Sequence, residues 1–181
     1  MHVAIIMDGN RAWAAQHGLP VKTAHAAAAE SIQAAVEVAA HADVTTLTLY
    51  ALSAEDWEPA FAAQITPPLR RYLLAQGSRM RLRMIFDFAS HDSLVRAAIS
   101  ADPCARLDPE EFLHSLAKLE TDTPSAGAVD LLIRTGSTGI LSDFVLWETA
   151  HADLVSMRVY WPDFDEALLS QALREHRQRN P

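Results

Sequence analysis

Apolar residues in this chain gather into runs of strand length at residues 2–7, 44–52, 80–88, 129–134 and 155–160, and the stretches between them have helical character. That alternation predicts an α/β fold with a central, mainly parallel sheet flanked by helices. Residues 22–42 are rich in alanine, and Ala28, Ile32, Ala35, Val36 and Ala39 recur on one apolar face, which predicts a helix. Pro67-Pro68 predicts a helix that begins at or just after the prolines. Asp108-Pro109-Glu110-Glu111 has the layout of another helix start: an N-cap, a proline in the first turn, and acids that suit the helix dipole. Thr121 to Gly127 is polar, contains Pro124, and reads as a loop. Asp165 is expected to cap a final helix through about Gln178, with Arg174, Arg177 and Arg179 near its end. No internal repeat and no second domain are visible, so residues 1–181 are expected to form one domain.

The ends of the strand-like runs carry the candidate chemistry. Asp8, Ser53, Asp87 and Arg134 each fall at the carboxyl end of a predicted strand. In a parallel sheet those ends open into one crevice, where α/β folds bind ligands. The first is the most informative, because Met7-Asp8-Gly9-Asn10 follows the apolar run Val3-Ala4-Ile5-Ile6. It sets a carboxylate, a glycine that permits tight backbone geometry and a turn-forming amide at a strand end. A carboxylate there suits Mg²⁺ and, through it, a phosphate group. Alone the turn is weak evidence, since Asp8 serves equally well as a helix cap.

Composition narrows the function. At 181 residues, 50% hydrophobic and 21% charged, the chain is globular and long enough to bury a substantial core. Its net charge of −8 argues against nucleic-acid binding and against attraction to anionic membranes. A single cysteine, Cys104, provides neither a disulfide framework nor a cysteine-based zinc site. No apolar run approaches the length of a membrane span, so no integral membrane segment is expected and a cytoplasmic location is the default.

Three further segments join the Asp8 turn and Trp13 in a recognisable order. They are Thr48-Leu49-Tyr50-Ala51-Leu52-Ser53-Ala54-Glu55-Asp56-Trp57, Asp130-Leu131-Leu132-Ile133-Arg134-Thr135-Gly136 and Trp161-Pro162-Asp163-Phe164-Asp165. Together these resemble the cis-prenyltransferase family, whose best-known members make undecaprenyl diphosphate. The resemblance covers roughly residues 2–58 and 129–179 and is absent from the middle, which looks shortened. It implies transfer of a prenyl group from an allylic isoprenyl diphosphate with Mg²⁺, in a homodimer. Asp8 matches the metal-binding aspartate and Asn10 its neighbouring asparagine, with Gly9 between them. His25 and Arg134 match residues that hold diphosphates, and Ser142 one that assists Arg134. Ser53 matches a reaction-centre serine, and Asp153 stands where the family has a glutamate that completes the metal site, often from the partner subunit. Phe144, Val145, Trp147 and Leu154 would supply the apolar contact between subunits.

Departures from the family pattern point to unusual chemistry. Its Asp-Gly-Asn-Gly-Arg-Trp becomes Asp8-Gly9-Asn10-Arg11-Ala12-Trp13, which moves the arginine by one position, or roughly 100° around a helical turn. Val21, Pro59 and Ile140 stand where the family has further arginines, and Asp56 replaces an asparagine. Each lost charge-assisted contact is worth about 1.5–3 kcal/mol. The strand expected to end in Asn-Tyr-Gly-Gly-Arg reads Asp87-Phe88-Ala89-Ser90-His91 instead, with His91 and Asp92 as new polar neighbours. The expectation is therefore a non-standard enzyme acting on small allylic diphosphates by short-chain condensation, irregular coupling or cyclisation. Asp8 would hold metal, Arg134 and His25 diphosphate, and Asp56, Ser53 or His91 would move the proton. The alternative is a supporting subunit of a heteromeric cis-prenyltransferase.

Overall fold

The computed structural model describes residues 1–52, 69, 73, 77, 79–86, 95, 99, 127–136 and 148–180. Five strands among them form one sheet: β1 (His2–Ile6), β2 (Thr46–Leu52), β3 (Arg81–Phe86), β4 (Leu131–Arg134) and β5 (Asp153–Ser156). They lie in the order β3-β2-β1-β4-β5, and every neighbouring pair is parallel, as expected. The helices are α1 (Asn10–His17), α2 (Val21–His41) and α3 (Glu166–Arg179), with a short 3-10 turn at Trp161–Asp163.

Every residue of β1 is buried, because the strand is covered on both faces. Val3 and Ile5 join Leu47, Leu49, Leu131 and Ile133 beneath α2 and α3, whereas Ala4 and Ile6 face away with Tyr50, Ile85 and Leu132. Ala24, Ala28, Ile32, Ala35, Val36 and Ala39 are the buried apolar stripe of α2, which begins within a residue of its expected start. Full burial of each larger aliphatic chain contributes about 1.5–3 kcal/mol. Trp161 locks this layer: it is wholly buried, its indole N–H donates to Ala28 O at 3.1 Å, and it stacks on Phe164. Asp165 caps α3 as expected, its Oδ1 accepting from the Leu168 amide at 2.9 Å.

The fifth strand differs from expectation. Instead of 155–160 it occupies Asp153–Ser156. From Met157 onward the backbone leaves the sheet to reach the buried Trp161: Met157 N donates to the carbonyl of Arg134 at the end of β4, and Gly136 N in the loop beyond donates to Val159 O, each at 2.8 Å. The helices expected after Pro67-Pro68 and at Asp108, and the loop ahead of Gly127, fall almost wholly outside the described residues.

The interior also contains a polar cluster. His2, which is 4% exposed, bonds Thr48 Oγ1 through Nε2 at 2.8 Å and lies near Gly127 O through Nδ1. Alongside, the buried Arg83 pairs with Glu148 at 2.8 Å, while its Nε and Nη2 have no hydrogen-bond partner among the described residues. Burial lowers the His2 pKa, and the Arg83 charge adds to that against the opposing pull of Glu148.

Candidate active site at the carboxyl edge

The chain runs from β1 to β2 on one side and places β4 on the other, so the strand order reverses between β1 and β4. A crevice at the carboxyl ends of such a pair is the usual ligand site of an open α/β sheet. Asp8 lies just beyond β1, and Arg134, level with Ile6, is the last residue of β4. The two side chains meet there, with Arg134 Nη2 donating to Asp8 Oδ2 at 2.8 Å. The guanidinium side chain is 7% exposed and the carboxylate side chain 40%, so the pair sits at the crevice floor with its acid towards solvent.

The surrounding backbone fixes Asp8. Its carbonyl accepts from Thr135 Oγ1 at 2.8 Å and from the Trp161 amide at 3.1 Å. Gly9 and Gly136 hold positive φ of 108° and 83°, and both are crowded. A Cβ on Gly9 would come within 2.7 Å of the Tyr160 ring, and one on Gly136 within 2.9 Å of the Asp8 carbonyl carbon. Glycine is required at each for conformation and for space.

Asn10 opens α1 and donates from Nδ2 to Met7 O at 3.2 Å, while its Oδ1 is buried with no hydrogen-bond partner among the described residues. The α1 N-cap is Gly9, which has no side chain to bond the first-turn amides, so that helix end favours an anion. Arg11 is exposed on the same turn. Trp13 braces α1, its indole donating to Asp163 Oδ1 at 2.7 Å and its ring stacking on His17. His25 is half-buried in the second turn of α2, whose amino end lies at the same edge of the sheet. Ser53, Asp56, Asp87, His91 and Ser142 lie outside the described residues.

Asp153 is not brought to this site within one subunit. It opens β5 opposite Leu131, at the amino end of β4, whereas Arg134 and Asp8 lie at the carboxyl end. Its carboxylate instead accepts from His176 Nδ1 and Asn180 Nδ2, each at 2.8 Å, and the His176 bond is the main reason that its pKa is lowered. Thr135, Gly136 and Asp163 frame the site yet had no expected role. The first two were visible only as the tail of the Arg134 motif.

The donor set at Asp8 fits a magnesium ion shared with a ligand. It consists of hard oxygens, and no group of three His, Cys, Asp or Glu among the described residues could hold a metal by itself. A cation there would need phosphate and water oxygens to complete its shell, the usual manner of Mg²⁺. Among the described residues no helix is long and apolar enough to cross a membrane.

Comparison with known proteins agrees with this arrangement. A model of the prenyltransferase family, described as undecaprenyl diphosphate synthase, matches residues 6–62 and 71–181, so the likeness runs through the middle as well as both ends. Isoprenyl transferase 1 of Bradyrhizobium diazoefficiens is 34% identical over 212 residues, covering 96% of this chain and 85% of that protein. The aligned length exceeds the 181 residues here, so that relative has positions with no counterpart in this chain. The (2E,6E)-farnesyl-diphosphate-specific ditrans,polycis-undecaprenyl-diphosphate synthase of Pseudomonas aeruginosa is 30% identical over 98% of this chain and 88% of its own. In fold, the chain matches the crystal structure of lavandulyl diphosphate synthase from Lavandula x intermedia in complex with dimethylallyl diphosphate. That match has a TM-score of 0.75 and 23% identity, and covers 97% of this chain and 94% of the other. With its sheet, its Asp8–Arg134 edge and these likenesses in hand, the chain belongs to the undecaprenyl diphosphate synthase family of prenyl-transferring enzymes.

Proposed function

We propose that this protein is a Mg²⁺-dependent prenyltransferase for small allylic isoprenyl diphosphates, carrying out short-chain condensation, irregular coupling or cyclisation rather than long polyprenyl synthesis. The observation that carries this reading is the filled interior beneath the site. Val3, Ile5, Ile32, Val36, Leu47, Leu49, Leu131 and Ile133 are each 0% exposed. Residues lining an open tunnel would have surface accessible to water, so among the described residues this closed packing between α2 and the sheet supports a short prenyl chain over a long one.

At the edge, Arg134 and the uncapped start of α1 suit a diphosphate, the one by charge and the other by its amides. Asp8 would hold the metal, with the Asn10 amide oxygen beside it. Bound there, Mg²⁺ supplies positive charge that offsets the charge of a departing diphosphate. Arg134 would orient that group by a planar, two-pronged contact, and the buried floor would keep water from the allylic carbon.

The test is product mass after incubation with dimethylallyl, isopentenyl, geranyl and farnesyl diphosphates, singly and in pairs, with Mg²⁺. Short or cyclic products are expected, and a ladder of long polyprenyl chains would refute the reading. Asp8→Ala should abolish turnover with the fold intact, while Arg134→Ala should weaken diphosphate binding by about 1.5–3 kcal/mol.

A second reading, a supporting subunit of a heteromeric enzyme, draws on Val21. It presents an apolar side chain, 39% exposed, at the start of α2, where an arginine would serve a diphosphate. Turnover seen only with a partner subunit, and unchanged by Asp8→Ala, would favour it. A homodimer suits Leu154, 49% exposed on the edge strand β5, and would be the one route for Asp153 to reach a metal. Light scattering that reports only monomer at micromolar concentration would exclude both.

A further inference from the structure

The two groups that the proposed function assigns to opposite charges of the substrate complex are bonded to each other. Arg134 Nη2 and Asp8 Oδ2 lie 2.8 Å apart, closer than either could remain once a cation sat on that carboxylate oxygen or a diphosphate on that guanidinium nitrogen. Neither group can withdraw by moving its main chain. Arg134 is held in β4 against β1, and Asp8 is pinned through its carbonyl by Thr135 and Trp161, with Gly136 packed against its backbone. The part able to move is the Asp8 side chain, which is 40% exposed.

We infer that the Asp8–Arg134 ion pair is a latch that couples cation binding to diphosphate binding at this edge. The inference rests on the reading of Asp8 as the cation site and Arg134 as a diphosphate site. A divalent cation that takes Asp8 Oδ2 must separate it from Arg134, and a diphosphate that takes Arg134 Nη2 must draw it from Asp8. Whichever binds first bears the cost of opening the pair, and the second binds to a group already released. The two ligands therefore favour one another beyond their direct attraction, and by linkage the effect is equal in both directions.

Calorimetric titration of the full chain tests the latch without any turnover. With Mg²⁺ alone, Arg134→Met should bind about tenfold more tightly than wild type, since the competing cation is gone. Removing a positive charge also strengthens cation binding at a distance, so Arg11→Ala supplies the control. Arg11 is exposed on the neighbouring helical turn, where salt screens its charge, and the shift there should stay below about threefold. With inorganic diphosphate and a chelator, Asp8→Asn should bind about tenfold more tightly than wild type. A Mg²⁺ affinity of Arg134→Met no higher than that of Arg11→Ala would overturn the latch. So would an unchanged diphosphate affinity in Asp8→Asn, which checks the same pair from its other side should Arg134→Met fold poorly. If wild type and Asp8→Asn bind Mg²⁺ alike, the cation is not on Asp8, and the underlying functional reading fails with the inference.

Discussion

Gly136→Ala is the substitution with the clearest consequence for this site. Gly136 holds φ of +83°, and a left-handed backbone costs a residue with a Cβ about 1–2 kcal/mol. The added carbon would also lie 2.9 Å from the Asp8 carbonyl carbon, 3.0 Å from its Cβ and 3.1 Å from its oxygen. These atoms are not the end of a flexible side chain, and the Asp8 carbonyl is held by Thr135 and Trp161. Relief therefore requires backbone movement, at the usual overpacking cost of about 1–3 kcal/mol. The total is about 2–5 kcal/mol out of the roughly 5–15 kcal/mol that stabilises a domain. Gly18→Ala separates the two contributions, because Gly18 has φ of +64° and nothing within 4 Å of its would-be Cβ. It should lose only the backbone part, and urea titration of both variants measures the difference directly. Because the clash pushes Asp8 away from Arg134, turnover in Gly136→Ala should also fall about 10–100-fold, in line with the cost of displacing a reacting group. Equal stability losses in the two variants, or full turnover in Gly136→Ala, would refute the reasoning.

Two further predictions concern pH. Burial holds the folded-state pKa of His2 below the ordinary 6.5, so the unfolded chain binds more protons as pH falls through that value. Stability should therefore drop on acidification from 6.5 towards the folded pKa and stay level on this account above it; His2→Gln should flatten the slope in urea midpoints, and a wild-type midpoint that ignores pH there would refute it. The lowered pKa of Asp153 works in the other sense of charge: its contribution is present above the ordinary 3.8 and is lost as pH falls through the folded value. Asp153→Ala should loosen the end of α3 through the lost His176 and Asn180 bonds, with a larger drop in urea midpoint at neutral pH than in acid; equal drops would show that the charge is not involved.

The sequence disclosed the parts of this protein that depend on local pattern. Apolar runs located four of the five strands within a few residues, and the parallel arrangement then required that Asp8 and Arg134 share an edge. The fifth run misled because Met157, Val159 and Tyr160 are as apolar as a strand, although Val159 O accepts from Gly136 N in the loop beyond β4 and Tyr160 O from Asp163 N in the 3-10 turn. Arg83 sits at an alternating position that suits a solvated face, and only the approach of Glu148 from far along the chain makes its burial tolerable. Asp153 is the same kind of case. The motif supplies a carboxylate, but which edge of the sheet receives it is set by the register of β5 on β4, which the motif does not encode. Thr135 and Gly136 were invisible as site residues for a related reason, since the first bonds and the second packs against the Asp8 carbonyl, more than a hundred positions earlier.

Strand order also explains how the site withstands change in the middle of the chain. Asp8 and Arg134 are separated by 126 positions, yet their strands are immediate neighbours at the centre of the sheet. The described strands that lie between them in sequence, β2 and β3, add to the far side of β1, with β3 outermost. Loss or remodelling of sequence there alters the outer sheet and the apolar ground beneath the crevice. It does not alter the placement of the Asp8 and Arg134 main chains, which the β1–β4 pairing and the segment from Met157 to Trp161 hold together. The outer sheet and the Asp8–Arg134 edge are thus physically separable in this fold. That separation is why a chain with Val21, Pro59 and Ile140 where the resemblance expects arginines still keeps its central ion pair intact.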